Sequence, residues 1–269
     1  MHLNRSKLKI SAKGGKNRKK RTVKEDIVPV VRAKKKNKLK ILKTRTDDKR
    51  KIDERKKYKI LSEWENLLGG HTAFILGNAP GIEQQNLGLL DPYFTIGVNR
   101  VFYIYDPTVL MWQDRQVWTG DKKSILKQKS IKVCNSKADP RNYFLNFRVR
   151  MGPFLFGSDP SVLHGTGNTT TLAVQMAVAM GCSNIVLMGT DCKYGVKGKT
   201  DFYGKNKDHK PYTLKMCRGA MQWLKDTCPV TIYNCSDNKL WETQKLENVI
   251  KKINPTKLSR ETYRKVFCK

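Results

Sequence analysis

Two glycine-bearing loops carry the residue types in this chain best suited to holding an anion. The first, Gly77-Asn78-Ala79-Pro80-Gly81, ends an apolar run in a turn that no strand continues through, since Pro80 lacks an amide hydrogen. Gly77 and Gly81 admit backbone angles closed to other residues, so N–H groups are exposed above the strand end. The second loop, His164-Gly165-Thr166-Gly167-Asn168-Thr169-Thr170, opens the most apolar helical stretch of the sequence. Asn168, Thr169 and Thr170 are capping types, and a helix N-terminus with open amides and hydroxyls suits a phosphate or carboxylate. No Gly-Lys-Ser/Thr is present, so the loop is not a Walker A motif. Three further short polar side chains close apolar runs: Asn99 after FTIGV, Asp114 after VLMWQ and Asp191 after IVLMGT. In open α/β sheets ligands gather at the carboxyl ends of strands, so these groups are expected to share one pocket.

Those loops need a sheet to bring them together. Short runs that are apolar on both faces, bounded by Gly, Pro, Asn or Asp, predict buried parallel strands over 73–76, 94–98, 108–112, 131–134, 185–188 and 230–233. Helices are predicted over 51–68, where a helix-spaced stripe stops at Gly69-Gly70, and over 170–180, closed by Gly181. Further helical patterns cover 213–226, 240–253 and 259–267. Strands alternating with helices predict an α/β fold over 51–269: a single Rossmann-like, mostly parallel sheet with helices on both faces.

The 269 residues suffice for one such domain, and the formal net charge of +31 is unevenly spread. Residues 1–57 hold 24 Lys and Arg against 6 Asp and Glu, an excess of +18; the rest holds 54 − 24 = 30 against 23 − 6 = 17, or +13. The stretch 1–50 has too little apolar surface to offset the entropy of ordering, so a disordered polybasic tail is expected. Lys19, Lys20, Arg21, Lys34, Lys35 and Lys36 are its densest cations. Such a run binds polyanions by counterion release, and nucleic acid, DNA foremost, is the expected partner. A membrane is not expected as partner: the tail has no amphipathic face with Trp or Phe, and no run of 18 apolar residues occurs. The lack of an apolar stretch after Met1 argues against a secretory signal. Seven cysteines without a CxxC pair or zinc-like spacing fit reduced thiols in a cytoplasmic protein. Deletion of residues 1–40 is expected to leave folding intact while weakening DNA or RNA binding and flattening its salt dependence. A markedly lower unfolding temperature in the truncated protein would instead make the tail structural.

The order of these motifs resembles the bacterial sialyltransferases that modify lipooligosaccharides. It is also similar to their broader relatives, the archaeal hydroxymethylpterin diphosphokinases and the motility-associated glycosyltransferases. In those proteins a Gly-rich loop ends the first strand and an Asn the second; a Ser/Thr/Gly loop then opens an Ala-rich helix that runs into a Gly-x-Asp strand end. The counterparts are Gly77-Asn78-Ala79-Pro80-Gly81, Asn99, Asn168-Thr169-Thr170 and Gly189-Thr190-Asp191, with IYNCSDNKLWE from Ile232 similar to the last strand and its loop. The likeness spans about residues 72–241. Ala79 stands for the family's second loop glycine and Gly81 for its serine, and Tyr194 and Tyr203 are out of register with the family's tyrosines. The resemblance implies a nucleotide-sugar donor held by Gly77, Asn78, Pro80, Gly81, Asn99, Gly167, Asn168, Thr169, Thr170, Gly189, Asp191 and Tyr194. It places the general base at His209, with Asp114 as a second catalytic candidate and His164 a weaker one; His71 falls at the wrong sheet edge.

The expected activity is glycosyl transfer from a nucleotide-sugar to a hydroxyl. With so basic a chain, the acceptor is expected to be a polyanion such as DNA carrying a hydroxylated base, an arrangement that would suit a virus acting in its host's cytoplasm. A divalent cation is compatible with this chemistry, though no residue pattern requires one. Two alternatives stay open. One is a diphosphokinase-like transfer from ATP with Mg²⁺ on Asp114 and Asp191; the other is a non-catalytic nucleic-acid binder on the same fold. Oligomeric state is not legible.

Overall fold

In a computed structural model of the chain, residues 54–152, 155–165, 168–204 and 210–269 are described. The expectations for residues 1–50, the tail cations included, lie outside them.

Eight strands form one sheet in the order β6-β5-β4-β3-β2-β1-β7-β8, and every pair is parallel. They are β1 (Thr72–Leu76), β2 (Phe94–Val98), β3 (Val109–Trp112), β4 (Ile131–Asn135), β5 (Leu145–Arg150), β6 (Val162–His164), β7 (Asn184–Met188) and β8 (Thr231–Asn234). The chain lays down β1 to β6 toward one edge, then crosses back to place β7 on the other side of β1. β1 therefore pairs with both β2 and β7, in register Ile75↔Ile96 and Ile75↔Leu187. This reversal is a topological switch point, where the loops after adjacent strands diverge and leave a crevice.

Among the described residues five α-helices cover the two faces: α1 (Arg115–Lys127), α2 (Thr169–Ala179), α3 (Pro211–Thr227), α4 (Leu246–Ile253) and α5 (Arg260–Val266). Side chains alternate along each strand, so one sheet feeds two cores. Ala73, Ile75, Val109 and Met111 pack with α2, with Met221 and Leu224 of α3, and with Tyr263 of α5. Phe74, Leu76, Leu110 and Trp112 pack with Val117, Trp118 and Ile125 of α1 and Leu246 and Val249 of α4. α2 is buried on nearly every side, as its continuous apolar sequence requires. Gly181 ends it with φ +87°, the left-handed position that favours glycine.

Two expected helices are corrected. Residues 54–68 form short 3₁₀ turns, Glu54–Lys56 and Leu61–Trp64, and no α-helix. This segment runs along the C-terminal end of α2, donating from the Asn66, Leu68 and Gly70 amides to the Ala179, Met180 and Gly181 carbonyls at 3.1, 2.8 and 3.0 Å. A helix would turn those amides inward. Residues 240–245 are not helical either, because Leu240 packs in one core and Leu246 in the other. The chain crosses the sheet between them, and a single helix stripe cannot face both ways. β5, β6 and α1 are elements that periodicity did not predict. β5 alternates buried and exposed residues, with Arg148 and Arg150 turned outward, and β6 is only three residues long.

Candidate active site

The loops after β1, β2, β3 and β7 and the N-terminus of α2 meet at the carboxyl edge of the sheet. Asn78, Ala79, Asn99, Asp114, Asn168, Thr169, Thr170 and Asp191 line one cleft there. Its remaining walls include Thr190, Cys192, Lys193, Thr200, Asp201, Leu214 and Cys217.

The first loop is built by close approach. The Gly77 amide donates to the Met188 carbonyl at 2.8 Å and the Ala79 amide to the Gly189 carbonyl at 2.9 Å, extending the β1–β7 ladder past both strand ends. Gly189, at φ +62°, turns β7 away from this contact. The Asn78 side chain is held at both ends: Nδ2 donates to the Val98 carbonyl at 3.0 Å and Oδ1 accepts from the Arg100 amide at 3.1 Å. It clamps the ends of β1 and β2 together. Its carbonyl also accepts from the Phe202 amide at 2.8 Å, which draws Thr200 and Asp201 over the cleft. Gly81 donates its amide to Asp191 Oδ2 at 3.0 Å, and a Cβ there would stand 2.9 Å from that oxygen. Any larger residue there would have to displace the carboxyl that braces the loop. Pro80 opens the 3₁₀ turn Pro80–Gln84 and packs against Gly195.

The second loop places a helix end in the cleft. Asn168 caps α2, its Oδ1 accepting from the Thr170 amide at 2.9 Å, while Thr171 Oγ1 donates to the Asn168 carbonyl at 2.8 Å. Buried Gln175 holds the approach strand: its Oε1 accepts from the His164 amide at 2.8 Å and its Nε2 donates to the His164 carbonyl. The positive end of the α2 macrodipole therefore faces the cleft.

Two buried acceptors are left over. Asn99 Oδ1 and Asp191 Oδ1 have no hydrogen-bond partner among the described residues. Asn99 sits at φ +51° directly after β2, a left-handed conformation that Asn tolerates better than most residues. Buried polar atoms are ordinarily satisfied, so two orphans in one cleft call for a ligand with hydrogen-bond donors. Thr190 is fixed from behind by Ser236, whose Oγ accepts from the Thr190 amide and meets its hydroxyl, both at 3.0 Å. Lys193 pairs with Asp237.

The titratable groups restrict the chemistry. Burial, helped by Cys217 and Asp191, pushes the Cys192 thiol up to about 12, so it stays protonated near neutrality and is no thiolate nucleophile. Burial and then Asp201 push the Tyr203 phenol up to about 12, and the Arg100 guanidinium lies 5.5 Å from its ring. Among the described residues no group of three His, Cys, Asp or Glu is placed to hold a metal ion. Asp114 and Asp191 both border the cleft, with one Asp191 oxygen already bound to Gly81.

Of the remaining expected site residues, Gly77 and Gly189 form the floor contact, and Tyr194 is exposed at the rim segment. Gly167 and His209 lie outside the described residues. His164 ends β6 and is not among the residues lining the cleft, and His71 precedes β1 at the opposite edge, where its Nδ1 meets the Tyr263 hydroxyl at 3.2 Å. Thr200, Asp201, Leu214 and Cys217 went unnoticed in the sequence, since only the Phe202–Asn78 backbone contact and the packing of α3 bring them in. Thr190 and Cys192 flank Asp191, and that adjacency was the one available signal.

No family model and no curated protein matches the chain. Among solved structures it is similar to the sialyltransferase CstII from Campylobacter jejuni, in complex with the substrate analogue cytidine-5'-monophosphate. That match has 13% identity and a TM-score of 0.40, over 63% of this chain and 82% of that one. The monofunctional alpha-2,3-sialyltransferase Cst-I from the same organism matches at 13% identity and TM-score 0.40, over 74% of this chain and 96% of that one. The MAf glycosyltransferase from Magnetospirillum magneticum AMB-1 matches at 14% identity and TM-score 0.48, over 81% of this chain; the chain spans only 42% of that protein's length. At such identities and scores the chemistry of the site rests on its own residues.

Proposed function

We propose that the chain is a glycosyltransferase whose cleft binds a nucleotide-sugar donor. The observation that carries this reading is the pair of buried, unpartnered acceptors, Asn99 Oδ1 and Asp191 Oδ1, set in the same cleft as the N-terminus of α2. A nucleotide-sugar supplies both complements: hydroxyl and amine donors for the two oxygens, and phosphate for the helix end. As the bond from sugar carbon to phosphate oxygen breaks, negative charge grows on the leaving nucleotide, where fixed helix amides stabilise it without reorganising. The acceptor hydroxyl attacks that carbon and gives its proton to a base, a role that the motif order assigns to His209. For the acceptor we propose a hydroxylated base of nucleic acid, on the strength of the chain's charge of +31.

The test is thermal stabilisation by a panel of nucleotides and nucleotide-sugars, with cytidine monophosphate and ATP included. A bound ligand at 100 times its Kd is expected to add about 2.7 kcal/mol. Asp191→Ala is expected to weaken that binding about 10- to 100-fold, as losing a charge-assisted hydrogen bond and the brace on Gly81 predicts. Binding of ATP alone, with turnover abolished by chelator, would replace this reading with a pyrophosphokinase. No nucleotide binding at all would leave a non-catalytic protein.

A further inference from the structure

A second cleft opens on the same sheet edge, one residue along the chain from the first. Asp114 lines the first cleft, while Arg115, opening α1, lines the second. The second encloses ≈ 240 Å³ between α1 and the turn after β4, walled by Arg115, Thr119, Lys122, Arg141, Trp118 and Tyr143, with Asp139 among its lining.

Its chemistry is unusual for a surface depression. Arg115 opens α1, Thr119 lies one turn on, and Lys122 follows the kink at Asp121; all three border the cleft. Arg141 borders the same cleft from the turn after β4. Three cations from two separate elements thus line one cleft, which suits a ligand with more than one negative charge. Trp118 and Tyr143 form an edge-to-face pair with centroids 6.3 Å apart; Lys122 Nζ lies 5.6 Å from the indole centroid, and Arg141 Nη1 donates to the Tyr143 hydroxyl at 3.3 Å.

The independent sign of a ligand is Asp139. It is 3% exposed, and its Oδ2 accepts from the Phe144 amide at 2.8 Å and from Asn146 Nδ2 at 3.4 Å. Its Oδ1 is buried without a partner among the described residues. A carboxyl fixed by two donors and leaving one oxygen unmet, inside an otherwise cationic cleft, suits a ligand that combines anionic groups with an N–H donor. A nucleotide unit has that combination, and inorganic phosphate at neutral pH matches it poorly.

We propose that this cleft binds a nucleotide unit of a single-stranded nucleic acid, with the backbone phosphates on Arg115, Lys122 and Arg141 and a base N–H on Asp139 Oδ1. A strand held here passes directly beside the first cleft, which is the position an acceptor strand needs. The binding itself stands on this cleft alone and survives if the first cleft proves to hold no nucleotide.

The test uses the full chain and a fluorescein-labelled single-stranded deoxyoligonucleotide of 12 nucleotides, with affinity measured by anisotropy over a series of salt concentrations. Arg115→Ala with Arg141→Ala is expected to lower affinity by about tenfold or more and to reduce the salt slope by about 1.4, at roughly 0.7 for each phosphate no longer neutralised. Lys251→Ala with Lys257→Ala removes equal charge outside the lining of this cleft and is expected to do much less. Both arginines are exposed, so folding is not at risk, and thermal stabilisation by donor nucleotides should be unchanged in the arginine double variant. An abasic strand of the same length is expected to bind the wild type about 3- to 10-fold more weakly than the normal strand. Equal effects of the two double variants would overturn the site in favour of diffuse charge. Equal binding of normal and abasic strands would overturn the base contact, and full displacement by millimolar inorganic phosphate would make the cleft a simple anion site.

Discussion

His209→Ala is expected to lower glycosyl transfer by about 10²–10⁴-fold at saturating donor and acceptor, the usual cost of removing a general base. Nucleotide affinity should be nearly unchanged, because the donor-facing groups lie on the loops after β1, β2 and β7 and at the start of α2. The described residues on both sides of His209 border the cleft: Thr200 and Asp201 before it, Leu214 and Cys217 after it. A neutral imidazole delivered from that segment can take a proton near physiological pH, which the protonated thiols of Cys192 and Cys217 cannot. The readout is a split between kcat and nucleotide Kd. Near-normal turnover would exclude His209 and pass the role to Asp114, which borders the same cleft.

Gly77→Ala is expected to destabilise the fold by about 3 kcal/mol or more, the upper range for overpacking. A Cβ at this position would stand 2.2 Å from the Gly189 carbonyl oxygen and 2.9 Å from its carbon. Both are backbone atoms, so no rotamer change relieves the clash. Separating the two loops would break the bonds from Gly77 to Met188 and from Ala79 to Gly189, and the donor site would be lost with them. Gly219→Ala is the matched control: that glycine lies within α3 with nothing within 4 Å of an added Cβ. There alanine is expected to stabilise by up to about 1 kcal/mol through helix propensity. Urea unfolding of both variants checks the contrast. An equal, small effect at the two sites would mean that the strand-end loops are not tightly docked.

The parts of this molecule legible in sequence are those where one local signal sufficed. TTLAVQMAVAM followed by Gly181 admits little other than a buried helix, and TAFIL, FTIGV and NIVLM admit little other than central strands. β5 escaped because Arg148 and Arg150 interrupt its apolar run at a half-covered part of the sheet. α1 escaped because Thr119 and Gly120 weaken its propensity and Asp121 kinks it. In the cleft, polar residues at strand ends marked the edge correctly, since chain topology alone brings such positions together. What each side chain does there was not legible. Asn78 reads as a ligand contact, and its tie between β1 and the end of β2, through the Val98 carbonyl and the Arg100 amide, gave no signal. Asp139 gave no signal at all, because its one unmet oxygen exists only once Phe144 and Asn146 have claimed the other.

The return of β7 to the side of β1 also bears on how the protein is made. Leu76 and Met188 pair across more than a hundred residues of chain, and parallel pairing over such a separation forms slowly because the loop must close before any contact rewards it. During synthesis β1 to β6 emerge first, leaving the β7 side of β1 an open strand edge until the last third of the chain arrives. That edge is apolar on both faces and unpaired, the kind of surface that recruits other chains. Asp191, Thr200, Asp201 and Cys217 all come with that last third, so the donor cleft is completed only when the edge is sealed. A nascent chain therefore passes from aggregation-prone to competent in a single closing event.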